Sequence, residues 1–158
     1  MSPFNSGYLI PSIAFGSIVL ETKVQPRQMK KVQERLAENA RHQKSVLLVE
    51  DEPAAREATK LYLIRCGFRV ESASDGESAI AKAAHRQPDV LVCDWRLGPG
   101  PDGGEVAREL YERYRIPVIF VSAYPMDELC DTTQDIEVLR CFQKPVSLTA
   151  LAEAVAAG

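Results

Sequence analysis

From Ser45 onward, short apolar runs alternate with helical stretches five times without a break, and few folds satisfy that pattern. The runs Ser45–Glu50, Phe68–Ala73, Asp89–Asp94, Ile116–Val121 and Val138–Phe142 read as strands, and 53–66, 76–86, 104–114, 126–134 and 147–156 read as helices. Strict strand–helix alternation predicts a parallel sheet, because parallel neighbours need long crossovers and the crossover helices cover both faces. Val46–Val49, Val90–Cys93 and Val118–Val121 are continuously apolar, the composition of strands buried on both sides. Phe68–Glu71 and Val138–Cys141 carry charges and suit the edges.

Central first, third and fourth strands with the second and fifth outside give the order 2-1-3-4-5. The expected fold is therefore α/β, a flavodoxin-like (βα)5 doubly wound parallel sheet, in which ligands bind at the carboxyl ends of the strands beside the switch point. Five polar groups fall on that edge. The first strand ends in Glu50-Asp51, the third in Asp94, the fourth runs into Ser122 and the fifth into Lys144-Pro145. Carboxylates crowded to 4–5 Å would repel by about 3–4 kcal/mol per pair at an effective dielectric of 20. A divalent cation resolves that cost, and a hard ion bound by one or two carboxylates, several waters and a phosphate fits the description of Mg²⁺. A hydroxyl and an ammonium opposite would suit an incoming phosphoryl group.

Each residue also has a plainer reading. Asp51, ahead of Glu52-Pro53, would serve as a helix N-cap. Asp94, before a Gly/Pro-rich loop, would serve as a turn aspartate. Ser122 alone reads as a loop or cap residue, Lys144 as a solvated charge and Trp95 as packing. The coincidence of the whole set on one sheet edge is what favours chemistry.

The residues ahead of Ser45 differ in kind. Residues 1–20 carry no charged side chain, whereas 21–44 carry seven Lys/Arg against three Glu, a local balance of +4 within a chain of net charge -3. The remainder from Ser45 is then -7. The expected division is an extension over 1–44, disordered with a helical part over 27–43, and one domain over 45–158. Tyr8–Leu20 is apolar but interrupted by Pro11, Gly16 and two serines and lacks a basic segment before it, so it matches neither a secretory signal nor an ordinary spanning helix. It is expected to be a tail, or sequence upstream of a start at Met29, without membrane contact. The acidic balance argues against direct nucleic-acid binding. Four scattered cysteines and two isolated histidines offer no zinc spacing, and reduced thiols in a cytoplasm are the expectation.

The stretches VLLVEDEP (46–53), DVLVCDWRLGPGPDGG (89–104), VIFVSAY (118–124) and FQKPV (142–146) resemble a response regulator receiver domain of two-component signalling, in a chemotaxis-regulator-like single-domain form. The resemblance covers 45–158. It implies Asp94 as phosphoacceptor, Glu50, Asp51 and Asp94 as Mg²⁺ ligands together with the Arg96 backbone carbonyl, and Ser122 and Lys144 as the groups that contact the phosphoryl. A cis peptide at Pro145 also follows.

By the same resemblance the chain is a signalling phosphoacceptor rather than an enzyme. Its phosphoryl donor is a histidine kinase or histidine phosphotransfer protein. Its downstream protein target meets the face made by 126–134, the fifth strand and the last helix. The chain ends fourteen residues after Lys144, room for one helix, so signalling through protein contacts is expected. The alternatives are a phosphorylation-independent interaction module of receiver fold, or the terminal receiver of a hybrid histidine kinase.

Three features depart from the family pattern. The loop 95–104 is one residue longer and richer in Gly and Pro. Cys141 stands where the family carries an aromatic residue, and Phe142 follows it. Arg96 and Tyr124 occupy the variable positions that in this family modulate phosphate lifetime.

Overall fold

The computed structural model describes residues 27, 30, 34, 43–124 and 133–158. Five strands, β1 (Ser45–Val49), β2 (Arg69–Ala73), β3 (Val90–Asp94), β4 (Val118–Ser122) and β5 (Val138–Gln143), form one parallel sheet in the order β2-β1-β3-β4-β5. Every residue of β1, β3 and β4 is buried, while β2 apart from Ala73 and all of β5 are exposed or half-buried. The apolar runs therefore fill the middle of the sheet and the charged ones its edges, as expected.

Among the described residues, four helices accompany the strands: α1 (Pro53–Arg65), α2 (Gly76–His85), α3 (Gly103–Tyr114) and α4 (Leu148–Ala157). Their starts are set by local chemistry. Asp75 accepts from the Ser78 amide ahead of α2, and Ser147 accepts from the Ala150 amide ahead of α4. Asp102 and Glu105 form a reciprocal capping box ahead of α3. Arg115, in the left-handed region at φ 57°, ends that helix. Of the helix expected over 27–43, Arg27, Lys30 and Glu34 are helical and exposed. The remainder of that helix, the apolar stretch 8–20, Met29 and most of the helix expected over 126–134 lie outside the described residues. Among the described residues, no helix is long and apolar enough to cross a membrane.

Period-two alternation along the strands splits the core into two layers. Leu47, Val49, Leu91, Cys93, Val118 and Phe120 pack with residues of α2 and α3 on one side. Val46, Leu48, Val90, Val92, Ile119 and Val121 pack with Leu63 of α1 and Leu151 and Val155 of α4 on the other. The sheet is thus covered on both faces, and its strand termini are left as the two open rims.

At the amino rim, Ser45 and Asp89 tie the start of β1 to the approach to β3. The Ser45 amide and hydroxyl donate to Asp89 Oδ2 at 2.6 and 2.7 Å, and the Asp89 amide donates to the Ser45 carbonyl at 2.9 Å. Partial burial works against ionisation of Asp89, but the Ser45 bonds outweigh it and hold the carboxyl below the usual aspartate value of 3.8. A depressed carboxyl stabilises the fold above its unfolded value, and that contribution fades as pH falls through the folded one. Asp89→Ala is expected to lose about 1 kcal/mol at pH 7, the scale of one such hydrogen-bonded pair near the surface. In urea denaturation the gap from the parent chain should narrow as pH falls below 3.8. An equal gap at every pH would rule out this source.

Candidate functional site

Parallel strands bring all their carboxyl ends to one rim, so residues far apart in sequence meet there. Glu50 and Asp51 follow β1, Asp94 closes β3 and Ser122 closes β4. Lys144 follows β5 through a hydrogen bond from its amide to the Ser122 carbonyl at 2.7 Å, and its bond to Pro145 is cis, as expected. Three of these four elements are the fully buried central strands. The site is therefore anchored in the most tightly packed part of the molecule.

Glu50, Asp51 and Asp94 present carboxylate oxygens that all lie within 4.8 Å of one another. Glu50 and Asp94 are almost fully buried, while Asp51 faces solvent. The Lys144 ammonium bridges the two buried acids, at 2.6 Å from Asp94 Oδ2 and 2.9 Å from Glu50 Oε2. Burial raises the Glu50 carboxyl above the usual glutamate value of 4.5, more than the hydrogen bond and charge of Lys144 lower it. Burial also works against the Lys144 ammonium, but its bonds to Asp94 and Glu50 prevail and hold it above the ordinary lysine value.

Three oxygen donors on one dense negative spot, with one ammonium already drawn in, are the donor set of a hard divalent cation. The residues present fit such an ion.

The plainer reading of Asp51, a helix cap, does not hold. Glu52 is the N-cap of α1, accepting from the Ala54 and Ala55 amides at 3.0 and 2.5 Å. Pro53 supplies the first helical residue, so the cap stands one residue earlier than the helix and one later than Asp51. Asp51 is thereby left to face Glu50 and Asp94.

Arg56 was not anticipated as part of the site. Its Nη1 donates to the backbone carbonyls of Glu50 and Asp51 at 2.7 and 3.1 Å, fixing the chain that carries both acids. Its place in the first turn of α1 was the available signal, since that turn folds back over the end of β1.

Asp94 is held from behind. The Arg96 amide donates to its Oδ1 at 3.1 Å, and the buried Cys93 thiol, pushed up by burial and so neutral, lies 3.2 Å from its backbone carbonyl. Trp95 turns back into the core, edge-on to Phe120 with ring centroids 5.2 Å apart. Its plain reading as a packing residue holds.

Ser122 is fully buried, and its Oγ accepts from the Tyr124 amide at 3.0 Å. Ser122 thus ends its strand on the same rim as the acids, with its hydroxyl engaged by its own loop. Arg96 and Tyr124 meet across the gap between the two loops, the guanidinium carbon 4.6 Å from the ring centroid. Cys141 and Phe142 go to opposite faces of β5. Cys141 packs against the core layer of α2 and α3, and Phe142 against the layer of α1 and α4. A one-residue offset in sequence is a change of side in space.

Ionised Glu50 carries a net cost in the folded chain, because its carboxyl is raised there. The folded state holds its proton at a pH where the unfolded chain has lost it. That stabilising contribution is complete below 4.5 and disappears as pH rises through the folded value. Glu50→Gln is therefore expected to be more stable than the parent at pH 7, by roughly 0.5–2 kcal/mol, the usual gain when a functional group is relieved of strain. The two chains should converge in thermal melts below pH 4.5. A less stable variant at pH 7 would mean that the Lys144 pair outweighs the burial of Glu50.

The chain matches the family described as the response regulator receiver domain over residues 46–156. It is 40% identical over 115 residues to the positive alginate biosynthesis regulatory protein of Pseudomonas aeruginosa, covering 70% of this chain and 45% of that protein. It is 40% identical over 79 residues to the transcriptional regulatory protein AfsQ1 of Streptomyces coelicolor, covering 50% of this chain and 35% of that one. The chain thus spans less than half the length of these curated relatives. Among solved structures, it is similar to a response regulator receiver protein from Sinorhizobium medicae, with 26% identity, a TM-score of 0.67 and coverage of 73% of this chain and 94% of that one. The chemotaxis protein CheY4 of Vibrio cholerae shares the fold at 24% identity and a TM-score of 0.67, covering 73% and 98%.

Proposed function

The chain belongs to the response regulator receiver domain family, and from that premise we infer that it is a phosphoacceptor taking a phosphoryl group onto Asp94 from a phosphohistidine. The donor is a histidine kinase or a histidine phosphotransfer protein of a two-component system or phosphorelay. The observation that carries this reading is the Lys144 ammonium held between Asp94 and Glu50, with Asp51 beside them, at the carboxyl rim of the sheet.

An Asp94 carboxylate oxygen attacks phosphorus as the bond from phosphorus to the imidazole nitrogen breaks, and the imidazole leaves with that electron pair. Glu50, Asp51, Asp94 and the Arg96 carbonyl would hold Mg²⁺, which supplies charge neutralisation for the phosphoryl oxygens. Lys144 supplies the protein's own positive charge at the same place, and the burial of Glu50 and Asp94 keeps these interactions strong. The Arg96 amide orients the Asp94 carboxylate, and Arg56 fixes the backbone that carries the other two acids.

The new phosphoryl oxygens compete for the Lys144 ammonium and for the Ser122 hydroxyl. Moving Ser122 releases its bond to the Tyr124 amide and so rearranges the loop after β4. That loop leads into 126–134, which with β5 and α4 would form the surface read by a downstream protein. The expected extension over 1–44 and receiver over 45–158 belong to the same reading.

Trp95, the single tryptophan, adjoins Asp94 and tests the reading directly. Titration with beryllofluoride, a phosphoryl mimic, should change its emission saturably when Mg²⁺ is present and not in its absence. No response with Mg²⁺ present would favour the phosphorylation-independent interaction module instead.

A further inference from the structure

Helix α2 ends at His85, and Arg86 leaves it in extended conformation at φ -145°. The amino halves of β1 and β2 stay uncovered below that point. A cleft of about 230 Å³ lies there, at the opposite end of β1 from Glu50, lined by Ser45, Leu47, Arg69, Glu71, Arg86 and Pro88. Ala73 packs on the side of the sheet that α2 covers, so strand alternation turns Arg69 and Glu71 to the same side. Register sets Arg69 level with Ser45 and Glu71 level with Leu47. Lys82 and His85 hold the last turn of α2, and Lys82 donates to the Ser72 carbonyl at 2.5 Å. Arg86 stands beyond that turn, and its guanidinium has no ion pair among the described residues. Lys44 and Arg69 both attract the nearby Asp89 carboxylate, whose Oδ2 is already bonded to Ser45. Lys44, Arg69 and Arg86 against Glu71 and Asp89 leave a formal +1 around the cleft.

We propose that this cleft is a binding site for a small organic monocarboxylate, its oxygens held by Arg69 and Arg86. A guanidinium presents its donors in a fixed fork that matches a carboxylate. Leu47 and Pro88 line the cleft beside the two arginines and offer apolar surface to the rest of the molecule. At roughly 30 Å³ per water, the space equals about eight waters, so the occupant is smaller than a nucleotide. The local charge of +1 matches a monoanion. A phosphate dianion would bring a second negative charge to face Glu71 and Asp89 without a partner. The site does not rest on the phosphoacceptor reading, since Asp94 closes the other end of the sheet.

Benzoate is a probe of this size and charge, and benzamide has the same shape without the charge. The isotope-labelled full chain is titrated with each at pH 7, and with inorganic phosphate, while backbone amide signals are followed by NMR. Benzoate should shift the amides of Val46, Arg69, Glu71 and Arg86 saturably, with a dissociation constant of about 1 mM, the scale for so small a ligand. Benzamide should give no saturable shift, and phosphate should bind more weakly than benzoate. Arg86→Ala should weaken benzoate binding roughly 10-fold, the loss of a charge-assisted hydrogen bond. Glu71→Gln should tighten it by roughly 2- to 3-fold, because a like charge is removed. Both side chains are exposed, so the fold should survive either change, and the signals outside the cleft report that directly.

Shifts that rise without saturating, or that spread over the whole surface, would overturn the site. So would benzamide binding as tightly as benzoate, parent-like affinity in Arg86→Ala, or weaker binding in Glu71→Gln. Phosphate binding more tightly than benzoate at the same amides would overturn the monocarboxylate. A chain that binds benzoate here but takes no phosphoryl label would count against the phosphoacceptor reading alone.

Discussion

Asp94→Asn is expected to reduce phosphoryl uptake from acetyl phosphate by roughly 10³-fold or more, to background, because the substitution removes the nucleophile itself. Asparagine has nearly the shape of aspartate and retains a carbonyl oxygen that can accept from the Arg96 amide, so the fold should survive the change. What disappears is the negative charge that attacks phosphorus and holds Lys144 at 2.6 Å. Labelling of the parent should require Mg²⁺ and vanish on chelation. Mass spectrometry of the labelled chain should place the phosphoryl on Asp94. Persistent stoichiometric labelling of the variant at a different residue would sink the assignment.

The second large effect concerns a residue with no side chain. A Cβ on Gly103 would lie 2.1 Å from the Asp94 carbonyl oxygen and 3.0 Å from both the Asp94 carbonyl carbon and Trp95 Cα. All three are backbone atoms at the end of a buried strand and cannot step aside. The Gly103 amide also donates to the Trp95 carbonyl at 2.9 Å, locking the start of α3 against β3.

Gly103→Ala must therefore push α3 away from the strand that carries Asp94, at a cost of about 3 kcal/mol, the upper end for overpacking. Urea denaturation should show the loss, and phosphoryl uptake should fall with it because Asp94 moves. Gly98→Ala is the control. Nothing lies within 4 Å of a Cβ there, and its stability should stay within about 0.5 kcal/mol of the parent. Equal stability of the two variants would show that α3 tolerates displacement.

These two residues mark the limits of what the chain reveals without coordinates. The fold was legible because the apolar runs at β1, β3 and β4 and the charged runs at β2 and β5 differ for a physical reason, burial on both faces against burial on one. Parallel strands then carry Glu50, Asp51, Asp94, Ser122 and Lys144 to one rim by topology alone. Contacts that depend on side-chain direction were not legible. The N-cap at Glu52 instead of Asp51 turns on a single residue of helix phase. The reach of Arg56 back to Glu50 and Asp51, and the meeting of Arg96 with Tyr124 from separate loops, require the loops' paths. The approach of Gly103 to Asp94 depends on how closely a helix abuts a strand, which a glycine permits but does not announce.

The Lys144 bridge has a consequence for electroneutrality. Three carboxylates and one ammonium leave a formal charge of -2 at the rim when all four are ionised. A monovalent ion would leave half of that imbalance in place. Bulk salt screens it poorly, because Glu50 and Asp94 are almost withdrawn from solvent. A dication brings the cluster to formal neutrality in one step. The preference for charge two over charge one is thus already written into the count of acids around a single lysine.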